Sequence, residues 1–299
     1  MTSRQSTLFQ LLAGVAFAAI SLSGARSAQH AQASDSNNRR QAVKTATAAA
    51  RRGRYASVNG LEMYYETHGS GRPLVLLHGG LNTIETSFGP VLPYFAATRQ
   101  IIAVEQQAHG HTADIDRALT FEQMADDTAT LLERLGLESA DIFGYSVGGT
   151  IALQIAIRHP KLVRKLVLAS AIYALDGYPP VVADGLRHAT AETMPPAMRE
   201  AYAKVAPRPA DWPRLVAKMA KLATDFKGYA PTDIRSVNAP TLVMTGDADI
   251  VRLEHTVELS RLLTRGQLAV LPRANHFSYL MESPNWLLAM ISAFLDAPV

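Results

Sequence analysis

Residues 140–150 read Ala-Asp-Ile-Phe-Gly-Tyr-Ser-Val-Gly-Gly-Thr. The apolar start, Ala140 to Phe143, is a short buried strand, and Thr150 to Arg158 beyond it has helical character before Pro160. Between them Gly144-Tyr145-Ser146-Val147-Gly148 has the G-x-S-x-G spacing in a strand–turn–helix setting. The physics is steric. A serine on so sharp a turn has its hydroxyl pushed into the open, and bulky residues at 144 or 148 would clash, so Gly144 and Gly148 are required there. The helix N-terminus beneath it favours developing negative charge. The plain alternative is an ordinary strand-to-helix turn, so the flanking sequence has to decide.

Working outward, further short apolar runs alternate with helical patterns. Tyr55–Val58 and Leu61–Thr67 flank Asn59-Gly60, a two-residue hairpin signal. Pro73–Leu77, Gln100–Val104, Lys165–Ala169, Thr241–Thr245 and Leu268–Leu271 read as strands. Thr120 with Gln123 predicts a capping box for a helix carrying Met124, Ala125, Leu131, Leu132 and Leu135. Arg252–Leu263 and Asn285–Leu295 are predicted helices, the last entered through Pro284. Strands alternating with helices imply a mostly parallel α/β sheet with helices on both faces. Residues 170–239 break the rhythm. They hold Pro179, Pro180, Pro195, Pro196 and Pro213 and helical stretches near Met198–Val205 and Leu215–Phe226. A loop of that length is unexpected in a compact domain, so the segment is read as a small helical cap over one end of the sheet. Its residues Tyr173, Tyr178, Met194, Met198, Trp212, Met219, Phe226 and Tyr229 either pack the cap onto the sheet or line an apolar pocket facing Ser146.

Composition narrows the class. Of 299 residues, 48% are hydrophobic and none is cysteine, which excludes disulfides, thiolate metal sites and a catalytic thiol. The isoelectric point near 9.1 invites a nucleic-acid reading. However, eight of the 29 Lys and Arg and only one of the 26 Asp and Glu fall in residues 1–54, leaving the remainder at −4. Basicity confined to one end does not make a nucleic-acid-binding domain. That end reads as an address. Arg4 precedes the uncharged apolar run Leu8–Leu22, and Ala31-Gln32-Ala33 fits a small-residue cleavage site, with Ser23-Gly24-Ala25 a second candidate. Residues 1–33 are therefore predicted to be a signal peptide and 34–53 a flexible basic linker. The folded domain is 54–299. Secretion or periplasmic residence is expected, with no stable membrane insertion after cleavage.

The motifs together resemble the α/β-hydrolase superfamily, over residues 55–299. His78-Gly79-Gly80 is similar to its oxyanion loop, Gly246-Asp247-Ala248-Asp249 to its acid turn, and Asn275-His276-Phe277 to the place of its histidine. Each follows a predicted strand, and the order Ser, Asp, His is the superfamily's. The resemblance implies Ser146 as nucleophile, His276 as its base and Asp249 as the acid orienting His276, with Asp247 the alternative acid. It implies an oxyanion hole from the backbone N–H groups of Val147 and Gly80, with Leu81 the alternative to Gly80. It places the helical cap before the acid-bearing strand. His78 is expected to support its loop. His109-Gly110-His111 has metal-pair spacing, but no third ligand stands in register, so no metal is expected. Glu105-Gln106-Gln107-Ala108-His109-Gly110 departs from the superfamily's D-x-R-G-x-G, which removes the usual ion pair of that loop. The expected activity is cofactor-free cleavage of a small-molecule carboxylic ester through an acyl-enzyme. The alternatives with the same triad are C–C hydrolysis, lactone or amide cleavage, and the perhydrolysis of haloperoxidases. A non-catalytic ligand-binding protein is the alternative of a different class.

Overall fold

The computed structural model describes residues 53–282 and 284–299. The expected signal peptide and, apart from Gly53, the linker lie outside the described residues. Arg54–Val58 (β1) and Leu61–His68 (β2) form an antiparallel hairpin. Asn59 and Gly60 turn it with φ of 49° and 81°, the two left-handed positions such a turn demands. Six further strands follow: Arg72–Leu77 (β3), Arg99–Val104 (β4), Ala140–Tyr145 (β5), Val163–Ala169 (β6), Thr241–Ala248 (β7) and Gly266–Asn275 (β8). The sheet order is β1-β2-β4-β3-β5-β6-β7-β8, parallel from β4 onward.

Strand alternation sorts the core onto two faces. Val75, Leu77, Ile142, Leu166 and Leu168 pack on one side with helices Phe121–Arg134 and Val147–Arg158. Leu74, Leu76, Phe143, Val167 and Ala169 pack on the other with Ile84–Phe88 (α1), Leu92–Ala96 (α2) and Asn285–Asp296. In chain order Phe121–Arg134 is α3 and Val147–Arg158 is α4. Between β6 and β7 lie four helices: Pro180–Arg187 (α5), Pro196–Ala203 (α6), Trp212–Asp225 (α7) and Pro231–Arg235 (α8). Leu253–Leu262 (α9) joins β7 to β8, and Ser278–Glu282 (α10) precedes Asn285–Asp296 (α11). Trp212, almost fully buried, anchors α7 with Leu215, Val216, Met194 and Tyr202. No helix among the described residues is long and apolar enough to cross a membrane.

Several elements differ from the sequence expectation. The strand before the serine runs to Tyr145, and its helix starts at Val147 rather than Thr150. β7 and β8 outlast their apolar runs, because pairing continues past an irregularity at Gly246 as far as Ala248 opposite Asn275. Helices α1, α2, α8 and α10 have five residues each, too short to show a period. The capping box at Thr120 forms by half. Thr120 accepts from Gln123 N at 3.0 Å, but the Gln123 amide donates to Asp127 instead. The reciprocal arrangement occurs at Thr83 and Thr86.

Candidate active site

Five strand ends converge on the serine. Ser146 follows β5 with φ 55° and ψ −120°, a strained conformation outside the usual regions. Its N–H donates to Ala169 O at 2.8 Å, which ties the turn to β6. A Cβ on Gly144 would lie 2.2 Å from Gly148 O, and one on Gly148 would lie 2.0 Å from Leu77 O of β3. Two backbones therefore touch where the turn crosses, and only glycine leaves room.

The Ser146 hydroxyl lies 3.0 Å from His276 Nε2, and His276 Nδ1 lies 2.7 Å from Asp249 Oδ1. A carboxylate only accepts, so Nδ1 carries the proton and Nε2 is left to take one from the serine. His276 follows β8, and its carbonyl accepts the Tyr145 hydroxyl at 2.6 Å. The Asp249 side chain is fully buried. Burial alone would raise its carboxyl. The His276 charge and hydrogen bond, then Ser170 and the Val251 N–H, reverse that and hold it at about 2. Asp247 stands elsewhere. Its carboxylate accepts the N–H groups of Arg273 and Ala274 at 3.0 and 3.1 Å, fixing β8 at the irregularity before His276.

Ser170, which the sequence did not distinguish, and Tyr178, one of the expected cap residues, complete the site. Ser170, at the end of β6 with φ 51°, donates to Asp249 Oδ2 at 2.5 Å and contacts the Tyr279 hydroxyl at 2.6 Å. A polar residue directly after a buried strand was its only signal. Tyr178, from the segment before α5, lines the cavity beside Ser146 and is almost buried. Burial pushes its phenol well above the usual range, so it stays protonated beside Ser146.

Gly80 and Val147 both border the cavity that Ser146 and His276 open into, as does Leu81. A Cβ on Gly80 would lie 2.9 Å from Met219 Cε and 3.0 Å from Val147 Cγ2, so the loop runs under α7 and against the serine turn. Leu81, with φ 61°, is strained, as are Ser146 and Ser170. Non-glycine residues in the left-handed region thus mark the ends of β5 and β6 and the loop after β3. The cavity measures about 170 Å³. Met194, Met198, Met219, Phe226 and Tyr178 of the expected cap residues line it. Trp212 and Tyr229 pack into the cores instead.

The other histidines that the sequence raised, His78, His109 and His111, are structural. His78 Nδ1 bonds Gly79 O at 2.8 Å, and its Nε2 accepts the Gln106 N–H at 3.1 Å, locking the loop after β3 to the loop after β4. Burial, reinforced by His109, pushes its imidazole down to about 3. His109 Nδ1 bonds Gln107 O, while His111 stacks on Tyr64 and bonds Glu105. The pair shares no centre, and no group of three or more His, Asp or Glu among the described residues is placed to hold a metal. Glu105 accepts from the N–H groups of Ile84 and His111. A Cβ on Gly110 would collide with its carboxylate. In the superfamily's usual arginine position, Gln107 bonds Arg117 and Asp114. At Gln107 a neutral amide, accepting from Arg117 and donating to Asp114, therefore organises this loop.

With the fold and these distances established, comparison becomes informative. A family model described as "Alpha/beta hydrolase family" matches residues 74–290. The chain belongs to the alpha/beta hydrolase family. It is similar to 2-hydroxy-6-oxo-2,4-heptadienoate hydrolase of Pseudomonas putida, 28% identical over 82% of this chain and 96% of that one. It is also similar to 2-hydroxymuconate semialdehyde hydrolase of a Pseudomonas species, 28% identical over 81% and 93% of the two chains. Among solved structures, 2-hydroxy-6-oxo-6-phenylhexa-2,4-dienoate hydrolase of a Rhodococcus species superposes with a TM-score of 0.70. It is 20% identical over 82% of this chain and 98% of that chain. At that identity the likeness speaks to the fold, an eight-stranded, mostly parallel sheet flanked by helices.

Proposed function

We propose that this alpha/beta hydrolase cleaves a carbon–carbon bond next to a carbonyl group, with Ser146 as nucleophile, His276 as base and acid, and Asp249 orienting His276. The observation that carries it is the unbroken relay from Ser146 Oγ through His276 to Asp249, at 3.0 and 2.7 Å. The bond follows from chemistry. A 2-hydroxy-6-oxo-dienoate, the compound in the first relative's name, has no ester or amide bond, so its hydrolysis must break a C–C bond beside the oxo group. Sequence alone put an ester first; two relatives matched over four-fifths of this chain put C–C cleavage first.

In this reading Ser146 Oγ attacks the carbonyl carbon as its proton passes to His276 Nε2. The N–H groups of Val147 and Gly80 receive the oxyanion, each worth about 100- to 1000-fold in rate. The C–C bond then breaks, its electron pair leaves on the departing fragment, and His276 returns the proton there. Water, activated by the same imidazole, releases the acid and restores Ser146.

Ester cleavage is the second reading, and one observation favours it. The cavity is lined almost wholly by apolar side chains, which suits the acyl chain of an ester, and the same relay serves it. The test is 1-phenylbutane-1,3-dione beside 4-nitrophenyl butyrate, with products separated by chromatography. The C–C reading expects the diketone to be split into a carboxylic acid and a methyl ketone; turnover of the ester alone moves the assignment to esterase.

A further inference from the structure

We propose that the cavity beside Ser146 takes uncharged acyl compounds and rejects those carrying a carboxylate, so that the chain departs from the anionic compounds in its relatives' names. The proposal rests on the reading that Ser146 attacks a carbonyl carbon in this cavity. A dienoate carries an ionised carboxylate at neutral pH. Moving such a group out of water is costly unless a cation or several aligned donors meet it. Arginine is the usual partner, because its planar fork matches the carboxylate.

Among the described residues, no lysine or arginine lines this cavity. Its walls are apolar side chains such as Phe121, Ile172, Leu175, Val182, Leu186 and Leu222. The polar side chains beyond Ser146 and His276 are Asn82, Tyr145, Thr150 and Tyr178. The Tyr145 hydroxyl donates to His276 O at 2.6 Å, and the Thr150 hydroxyl donates to Ile172 O at 2.9 Å. That leaves the Asn82 amide and the Tyr178 hydroxyl, both neutral. Behind His276 lies the Asp249 carboxylate, 2.7 Å from Nδ1, which repels an anion. Helix α7 turns Val216, Met219, Leu222 and Ala223 toward the cavity. Its cations point elsewhere: Arg214 and Lys218 each reach Asp114 at 2.8 Å, and Lys218 also donates to the carbonyls of Ile115 and Arg117. Arg187, Arg199 and Arg252 are exposed. The same electrostatics acts on the acid product, which leaves a cavity that offers its charge no partner.

Two matched pairs test this on the intact folded enzyme. The first is 4-nitrophenyl butyrate against mono-4-nitrophenyl succinate, which puts a carboxylate at the end of the acyl chain. The second is 4-nitrophenyl butyrate against 3-carboxy-4-nitrophenyl butyrate, which puts it on the leaving group. A fluorophosphonate probe on the same batch reports whether Ser146 is reactive. The expected result is labelling, with kcat/KM favouring the neutral member by about 100-fold or more in both pairs. Labelling with a ratio under 10 in either pair overturns this inference and leaves the serine reading standing. Absence of labelling together with absence of turnover fails the serine reading itself. Turnover of 2-hydroxy-6-oxo-2,4-heptadienoate faster than that of the neutral diketone also overturns the inference.

Discussion

Asp249 and Asp247 lie two positions apart after the same strand, yet their surroundings set them different tasks. Asp249 is buried against the imidazole; Asp247 spans two backbone N–H groups of β8. Asp249→Asn is expected to keep the fold and lower kcat by up to about 10⁴, because the amide donates where the carboxylate accepted and leaves the wrong tautomer. Asp247→Asn is expected to cost about 1 kcal/mol of stability with activity largely kept. Steady-state kinetics on one substrate, with urea denaturation, separate the two. The reverse outcome would reassign the acid. This distinction was legible only through the resemblance to the superfamily's acid turn, which puts the triad carboxylate at Asp249; position after the strand left Asp247 open. Ser170 was not legible, and Tyr178 was one of eight cap residues left between packing and pocket. One is a lone polar residue after a strand and the other sits in a proline-rich segment. Their approach to the site is decided by how β6 and the following helices pack, which no local pattern records.

The strand–turn–helix around Ser146 works because two backbones nearly touch beneath it. Gly148→Ala is expected to destabilise the protein by about 3 kcal/mol, since its Cβ would sit 2.0 Å from a backbone oxygen that cannot move aside. Gly136→Ala is the control. Nothing lies within 4 Å of that Cβ, and only the φ of 75° resists it, at a cost of about 1 kcal/mol. Equal costs by urea denaturation would mean that contact is not what the glycine avoids. Long elements were legible in the sequence for a related reason. β3 to β7 are buried on both faces and read as apolar runs. The five-residue helices carry less than two turns of pattern. β8 extends beyond its apolar run because backbone pairing and Asp247, rather than its own side chains, hold its last residues.

At the scale of the molecule, buried neutral histidines make stability depend on pH. Burial holds His78 at about 3 and His255 at about 4, against an ordinary value of 6.5. A depressed histidine favours the neutral form, so its contribution is complete above 6.5 and is lost as the pH falls from there toward the folded value. Each should cost about 2 kcal/mol between pH 7 and pH 5. Urea denaturation at the two values measures it, and a flat profile would contradict neutral burial. Export is a separate proposal, resting on the Arg4, Leu8–Leu22 and Ala31-Gln32-Ala33 pattern. Mass spectrometry of the native protein is expected to find a start near Ser34, and an intact Met1 in a cytosolic fraction would overturn it. Everything proposed for the site depends on one atom, the Ser146 Oγ. The most direct measurement is the intact mass of wild type and Ser146→Ala after exposure to a fluorophosphonate, with hydrolysis assayed on the same samples. One adduct on wild type, and neither adduct nor turnover on a folded Ser146→Ala, is the expected result; an adduct or full turnover surviving the substitution would contradict it.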